Sequence, residues 1–300
     1  MVKRNSYIHK FIDRNELKNA IKDYPSNIDK YGDISNWNVS NIQNMKGLFE
    51  GTNCCNISIS NWDVSRVTTM ESMFYNSNFN SNIDISNWDV SNVTNMKYMF
   101  EHSNFNGDIS DWNVSNVKIM CYMFNSNSNF NGDISRWDVS NVTNMEGLFY
   151  HSFFNGSISN WNVSSVTNMT CMFDNSNFNG DISNWDVSNV KNMKGMFIGS
   201  IFNGDISKWN VSNVNNMRFM FNETNFNRDI SLWNVNNVED IGFMFSNSLF
   251  NGDISNWDVS NVKYMCDIFK NSKFNGDISK WDIKNNKNKQ YTLDSLNSNK

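Results

Sequence analysis

The sequence predicts an α/β repeat solenoid of about eleven repeats, each 24–26 residues long and built from a short parallel β-strand and a short helical turn. Three observations predict it. All eleven tryptophans, Trp37, Trp62, Trp88, Trp112, Trp137, Trp161, Trp185, Trp209, Trp233, Trp257 and Trp281, stand 24 to 26 residues apart, and the last six intervals are all 24. Ile precedes each Trp by three residues, from Ile34 to Ile278, and Val follows it by two, with Ile283 as the last substitute. Within one repeat the apolar period changes. Trp185 and Val187 alternate with polar Asn184, Asp186 and Ser188, whereas Val190, Met193, Met196 and Phe197 share one helical face.

The elements follow in chain order. Ile8, Phe11, Ile12, Leu17, Ala20 and Ile21 form an amphipathic pattern over residues 5–24 that stops before Pro25, so residues 1–30 read as an N-terminal capping helix. Residues 31–283 are the array. Its strand lies at the Trp, where the period is two. Ser188 or Asn189 can cap the helical turn that follows. That turn runs through the column eight after Trp, Met in nine copies with Ile241 as a substitute. It ends at the column twelve after Trp, Phe in ten copies with Leu293 closing the series. A second Phe, such as Phe105, Phe154 or Phe178, comes five residues later, and Cys55 takes its place in the second repeat. Phe49 to Cys55, Phe124 to Phe130 and Phe79 to Trp88 are longer than usual, which marks that stretch as the solvent turn. Asn286 and Lys289 replace the expected Val and Met, so residues 284–300 read as a degenerate last repeat and a polar tail.

One repeat cannot stand alone. Roughly eight inward side chains contribute ~1.5–3 kcal/mol each, while ordering the backbone costs ~1–2 kcal/mol per residue. Neighbouring copies must supply the difference.

Composition narrows the function classes. The chain has 300 residues, a net charge of −5 and 14% aromatic residues. Its Lys and Arg are scattered, which argues against a nucleic-acid footprint. No run of 18 apolar residues occurs, so no membrane span is expected. The opening MVKRNSYIHKFIDRNELKNA lacks an apolar core behind its basic residues, so no secretory signal is expected. Cys54, Cys55, Cys121, Cys171 and Cys266 follow no metal or disulfide spacing and read as reduced core fillers.

Two polar columns invite a chemical explanation. One follows Trp directly, as in Asn38, Asp63, Asp186 and Asp258; the other lies four before it, as in Asp108, Asp133, Asp181, Asp205 and Asp253. Calcium would need six to eight converging oxygens. Asx-turns account for both columns more simply. His102 and His151 share a register but stand two repeats apart, at ~10 Å, too far for one zinc ion. No nucleophile, base or phosphate loop stands apart from the repeat. Neither catalytic residues nor a cofactor or metal is therefore expected.

The unit F-N-G-D-I-S-x-W-D-V-S-N-V-x-N-M-x-x-M-F resembles the BspA-like leucine-rich-repeat family, also described as the Mycoplasma lipoprotein repeat of unknown function, over about residues 31–293. The opening YGDISNWNVSNIQNMKGLF looks like a first repeat of that family. The resemblance implies a leucine-rich-repeat-like solenoid with parallel strands on one face and helical turns opposite. It also implies membership in a group with surface adhesins and many proteins without assigned activity. The expected function is a non-enzymatic protein-interaction scaffold with an elongated polar strand face. The alternative is an exported adhesion or carbohydrate-binding surface protein. A cytoplasmic location, in a bacterium or a virus-infected host cell, is favoured. The partner surface is expected at the residue before each Trp, which is Asn or Asp in most copies. Arg136, Lys208, Leu232 and Lys280 break that pattern, and the first three are the candidate contacts. Lys208 and Leu232 lie on adjacent rungs, and Arg136 lies ~14 Å from Lys208.

Overall fold

The fold was obtained as a computed structural model, which describes residues 9–53, 57–78, 83–127 and 129–287. The predicted features at Ile8, Cys54, Cys55, Phe79, Lys289 and Leu293 lie outside these residues.

Successive repeats stack as coils joined by parallel bridges at one fixed register, seven residues after Trp. The bridges run Asn44, Thr69, Asn95, Ile119, Asn144, Asn168, Asn192, Asn216, Asp240, Tyr264. This corrects the predicted position of the strand. The alternation at Trp185–Val187 is real, with Trp185 and Val187 buried and Asp186 exposed. The pairing, however, occurs at Asn192, inside the stretch predicted to be helical.

Backbone hydrogen bonds explain the shift. Trp185 N donates to Ile182 O at 3.2 Å and Val190 N to Val187 O at 2.9 Å, so both corners near the Trp close on themselves. The groups left over face the next coil. Met193, Gly195, Phe197 and Gly199 N–H donate to the carbonyls of Asn216, Arg218, Met220 and Asn222, at 2.8–3.1 Å.

The predicted helical turn is replaced by two consecutive four-residue turns. Met196 N donates to Met193 O, and Ser200 N to Phe197 O. The third residue of each turn has positive φ: Gly195 at 63° and Gly199 at 57° in this coil. That is the signature of type II turns. Residues one and four of such a turn both point inward, which gives the same three-residue apolar spacing as a helix face. The same left-handed positions are held by Ser72, Tyr98, Cys171 and Phe219 in other coils, and by Asn76, Asn175 and Asn247 at the second turn. Among the described residues, helix is confined to α1 (Arg14–Lys22), α2 (Ile28–Tyr31) and a 3₁₀ turn at Ile34–Asn36.

The N-terminal segment meets the first coil through both backbone and core. Lys10 bridges Asn38 in parallel. Asp13 caps α1, its carboxylate accepting from Asn15 N and Glu16 N. Leu17, Ala20, Ile21 and Phe11 are buried, whereas Ile12, predicted on the inward face, is exposed.

Inside the stack, like residues lie on like. Phe173 stacks on Phe197 at 5.7 Å, Phe178 on Phe202 at 6.3 Å, and Trp185 on Trp209 at 6.5 Å with ring planes 3° apart. Each indole also donates across to the preceding coil. Trp185 Nε1 reaches Ile158 O and Trp209 Nε1 reaches Ile182 O, both at 3.1 Å, and the bond recurs from Trp62 to Trp281. A buried Trp needs a partner for its N–H, and here that need ties one coil to the next.

Asn189, predicted to cap a helix, instead donates its Nδ2 to Ser164 O of the previous coil at 2.8 Å. The predicted solvent turn between Phe124 and Phe130 is also corrected in part, since Asn127 is fully buried. Most coils place Ser or Thr at that position, such as Ser248, whose Oγ accepts from Phe250 N. Asn127 spans the longer segment because its amide reaches further. Its Oδ1 accepts from Asn129 N and Phe130 N, and its Nδ2 donates to Phe105 O.

Candidate functional site

The corner at each Trp builds the predicted partner surface. Trp points inward, so its neighbours on either side point outward. The residue before it is exposed in all eleven coils, including Arg136, Lys208 and Leu232, and Leu232 is 86% exposed. Side chains of neighbouring coils in this column approach each other. Arg136 Nη1 stands 4.0 Å from Asp111 Oδ1, the equivalent residue one coil earlier. Open grooves form between this column and the one after Trp. One is lined by Asn36, Asn38, Asn61 and Asp63 at the first coils, and another by Asn256, Asp258, Lys280 and Asp282 at the last. At both ends of the array the structure thus brings the column before Trp and the column after it together at a groove. It does not bring Arg136 next to Lys208, which lies three coils away.

The column after Trp forms Asx-turns. Asp186 Oδ1 accepts from Ser188 N at 3.0 Å, and Asn162 Oδ1 from Ser164 N and its hydroxyl at 3.1 and 2.7 Å. The column four before Trp does the same, as Asp181 with Ser183. A third Asx-turn escaped the sequence analysis: Asn192 Oδ1 accepts from Lys194 N, and Asn95 Oδ1 from Lys97 N. The Ser hydroxyl, then the Ser N–H, hold the carboxyls of Asp89, Asp138 and Asp186 below the usual range. A lowered carboxyl stabilises the fold above its unfolded pKa, so this contribution disappears as pH falls below about 4. These oxygens serve the backbone, and among the described residues no group of three or more His, Cys, Asp or Glu is placed to hold a metal.

The remaining candidates resolve individually. His102 and His151 are exposed at left-handed turn positions, φ 54° and 51°. Cys121, Cys171 and Cys266 are free thiols. Burial pushes the Cys121 thiol up to about 11 and the Cys171 thiol up to about 12, so both stay protonated at neutral pH. Sequence inspection missed the aromatic strip on the outer turn, where Tyr98 stacks on Tyr122 at 5.5 Å and Phe219 on Phe243 at 4.9 Å, with the Arg218 guanidinium over both Phe rings. The signal was available, since these residues share one register, ten after Trp.

Asp174 is the opposite of the Asx carboxylates. It is 5% exposed, and burial raises its pKa despite the Asn175 amide beside it. A raised carboxyl binds its proton more tightly folded than unfolded, so ionisation at pH 7 works against the fold. Asp174→Asn is expected to raise the melting temperature at pH 7, and to raise it less at pH 4. An equal or reversed difference would refute the assignment.

The family described as "Mycoplasma protein of unknown function, DUF285" matches residues 15–133, 77–177, 123–225, 151–249 and 200–300. The chain belongs to the DUF285 family. The overlapping DUF285 matches cover the whole array, in keeping with a repeat protein. No curated protein and no solved structure matches this DUF285 chain. Among its described residues, no helix is long and apolar enough to cross a membrane.

Proposed function

We propose that this DUF285 chain is a non-enzymatic protein-interaction scaffold whose contact surface is the exposed groove beside the Trp column. The observation that supports it most is Leu232, 86% exposed in a column that is mostly Asn and Asp. A lone exposed Leu is ordinary. This one, however, sits between Lys208 and Asn256 on neighbouring coils, and Asn256 of the same column lines the open groove at the last coils. Arg136 and Lys208 add positive charge, which suits an acidic partner edge with one apolar side chain. A leucine-rich-repeat-like, BspA-like solenoid is part of the same proposal, supported by the 24-residue period and the parallel stacking.

The test is the triple change Arg136→Glu, Lys208→Glu and Leu232→Asn. All three side chains are exposed, so the melting temperature should stay within about 2 °C of the parent, in line with surface substitutions. Proteins retained on the immobilised parent array should be lost from the variant. Retention of the same proteins by a folded variant would remove this groove from consideration.

A further inference from the structure

Seven large apolar side chains are exposed among the described residues, and three of them share one column: Phe153, Ile201 and Leu249, at 57%, 54% and 46%. Each stands directly before the second Phe of its coil, a position that is Asn in five of the nine copies from Asn78 to Lys273. A single exposed apolar residue is ordinary. Three in one polar column, on alternate coils with Asn177 and Asn225 between them, call for a cause outside the coil.

The backbone gives these side chains no inward alternative. Ser152 and Phe154 are buried on either side of Phe153, Ser200 and Phe202 beside Ile201, and Ser248 and Phe250 beside Leu249. The chain thus runs with period two, and the middle residue faces out. Leu249 N donates to Thr224 O of the preceding coil at 3.1 Å, which fixes its rung. Two residues further on, Asn179 N donates to Asn155 Oδ1 and Asn203 N to Asn179 Oδ1, both at 2.9 Å, so the neighbouring column is pinned as well. The face is flat. Beneath it the second Phe rings stack from Phe154 to Phe274 with planes 2–11° apart, so coil follows coil with little twist.

Two coils rise ~9.6 Å, which sets the spacing of the three apolar side chains. An added β-strand returns to one face every ~6.8 Å and misses them. A helix returns every ~10.5 Å, seven residues on, and its round surface meets a single column. Another array of the same rise keeps step along the whole face. Charge points the same way. The chain carries a net charge of −5, so two copies repel at long range. From Asn129 to Asn275, however, this column and the Asn column beside it hold one charged residue, Lys273.

We propose that this face joins two copies of the chain in an antiparallel, two-fold dimer centred on Ile201. The two-fold sets Phe153 of each copy against Leu249 of the other, Ile201 against itself and Asn177 against Asn225. Lys273 then faces Asn129, whereas a parallel pairing sets Lys273 against Lys273, two like charges. Seven coils overlap, a contact ~29 Å long and only a few columns wide, which belongs to the small, reversible class of interface. It uses no residue of the groove beside the Trp column.

Sedimentation of the full chain from about 10 µM to about 1 mM, a span that covers reversible association, tests it. The parent should pass from one chain to two. Phe153→Asn, Ile201→Asn and Leu249→Asn together install the column's commonest residue. That variant should melt with the parent at low concentration and dimerise at least about tenfold more weakly. Phe153→Glu or Leu249→Lys alone should weaken the dimer likewise. The two combined in one chain should recover it at low salt, because the antiparallel register sets them opposite. The groove variant Arg136→Glu, Lys208→Glu, Leu232→Asn should dimerise as the parent does. A parent that stays monomeric would overturn the proposal, even where the immobilised parent retains other proteins that the triple Asn variant loses, since the face would then take a different occupant. A dimer that survives the three Asn changes would overturn it too, as would a charge-swapped pair with no recovery or loss of the dimer in the groove variant.

Discussion

Truncating Trp185 to alanine is expected to remove about 3–5 kcal/mol of stability, the usual range for a large buried aromatic residue. Trp185 is 3% exposed and touches Phe173 and Trp209 through its ring. Its loss leaves a void and also strips Ile158 O of its donor from the next coil. Trp185→Phe should separate the two effects, keeping most of the ring and losing the bond, at about 0.5–1.5 kcal/mol, since Ile158 O still accepts from Trp161 N. Trp281→Ala should be milder than Trp185→Ala. Trp281 is 7% exposed and stacks on one tryptophan, Trp257, where Trp185 lies mid-array. Urea melts of the three variants decide the matter. Equal losses at Trp185 and Trp281 would contradict stability built from neighbouring coils.

The second large effect concerns chain length within a coil. Two residues inserted between Trp137 and Val142 are expected to cost more than about 4 kcal/mol, a size reserved for disruption of a buried network. That segment holds the turn from Val142 N to Val139 O, the Asn141 amide on Ser115 O, and the start of the ladder at Thr143 N on Lys118 O. An insertion displaces all three. Two residues inserted between Ser128 and Asn129 should cost about 1–3 kcal/mol, from the Asn127 Oδ1 bonds to Asn129 N and Phe130 N, because lengthening a loop itself adds little closure entropy. Circular dichroism and urea melts showing the two insertions equally harmless would refute the assignment of the corner turn.

The repeat and its inward columns were legible in the sequence because burial imposes them. Among the described residues the Trp, Ile, Val, Met and both Phe columns are buried where the sequence placed them, with Ile278 and Ile283 of the last coil only partly so. The backbone path was not legible, for a specific reason. Val190, Met193, Met196 and Phe197 carry a spacing that a helix face and a pair of type II turns share. The distinguishing sign lay in residues outside the apolar columns. Gly147, Gly195 and Gly199 fall at two registers where Asn76, Asn175 and Asn247 also recur, and all have positive φ. Gly and Asn are the residues that tolerate it. Tyr98, Tyr122, Phe219 and Phe243 masked the pattern, because bulky residues rarely sit there. Their stacking on one another outside the coil offsets part of that strain. At the groove, the exposure of Arg136, Lys208 and Leu232 followed from the inward Trp beside each, so period-two reasoning sufficed. The third Asx column was missed because Asn192 lay inside a segment assigned to helix.

The indole bond recorded from coil to coil has a bearing on how such a chain changes over generations. Trp209 needs an isoleucine carbonyl beneath it, and every coil offers the same one at the same place: Ile158, Ile182, Ile206. A coil cannot distinguish which neighbour it has. Loss of residues 186–209 would bring Trp185 directly before Asn210, and the next tryptophan, Trp233, would find Ile182 where Ile206 had been. Copying errors that drop or double one whole unit thus leave a sound protein, only shorter or longer by a rung. Errors of other lengths are accommodated only in the segment between the inner Phe and the next strand corner, as in the longer units at Phe124–Phe130 and Trp62–Trp88. The chain is in effect a ruler whose divisions can be added or removed, and its reach can drift freely while its cross-section stays fixed.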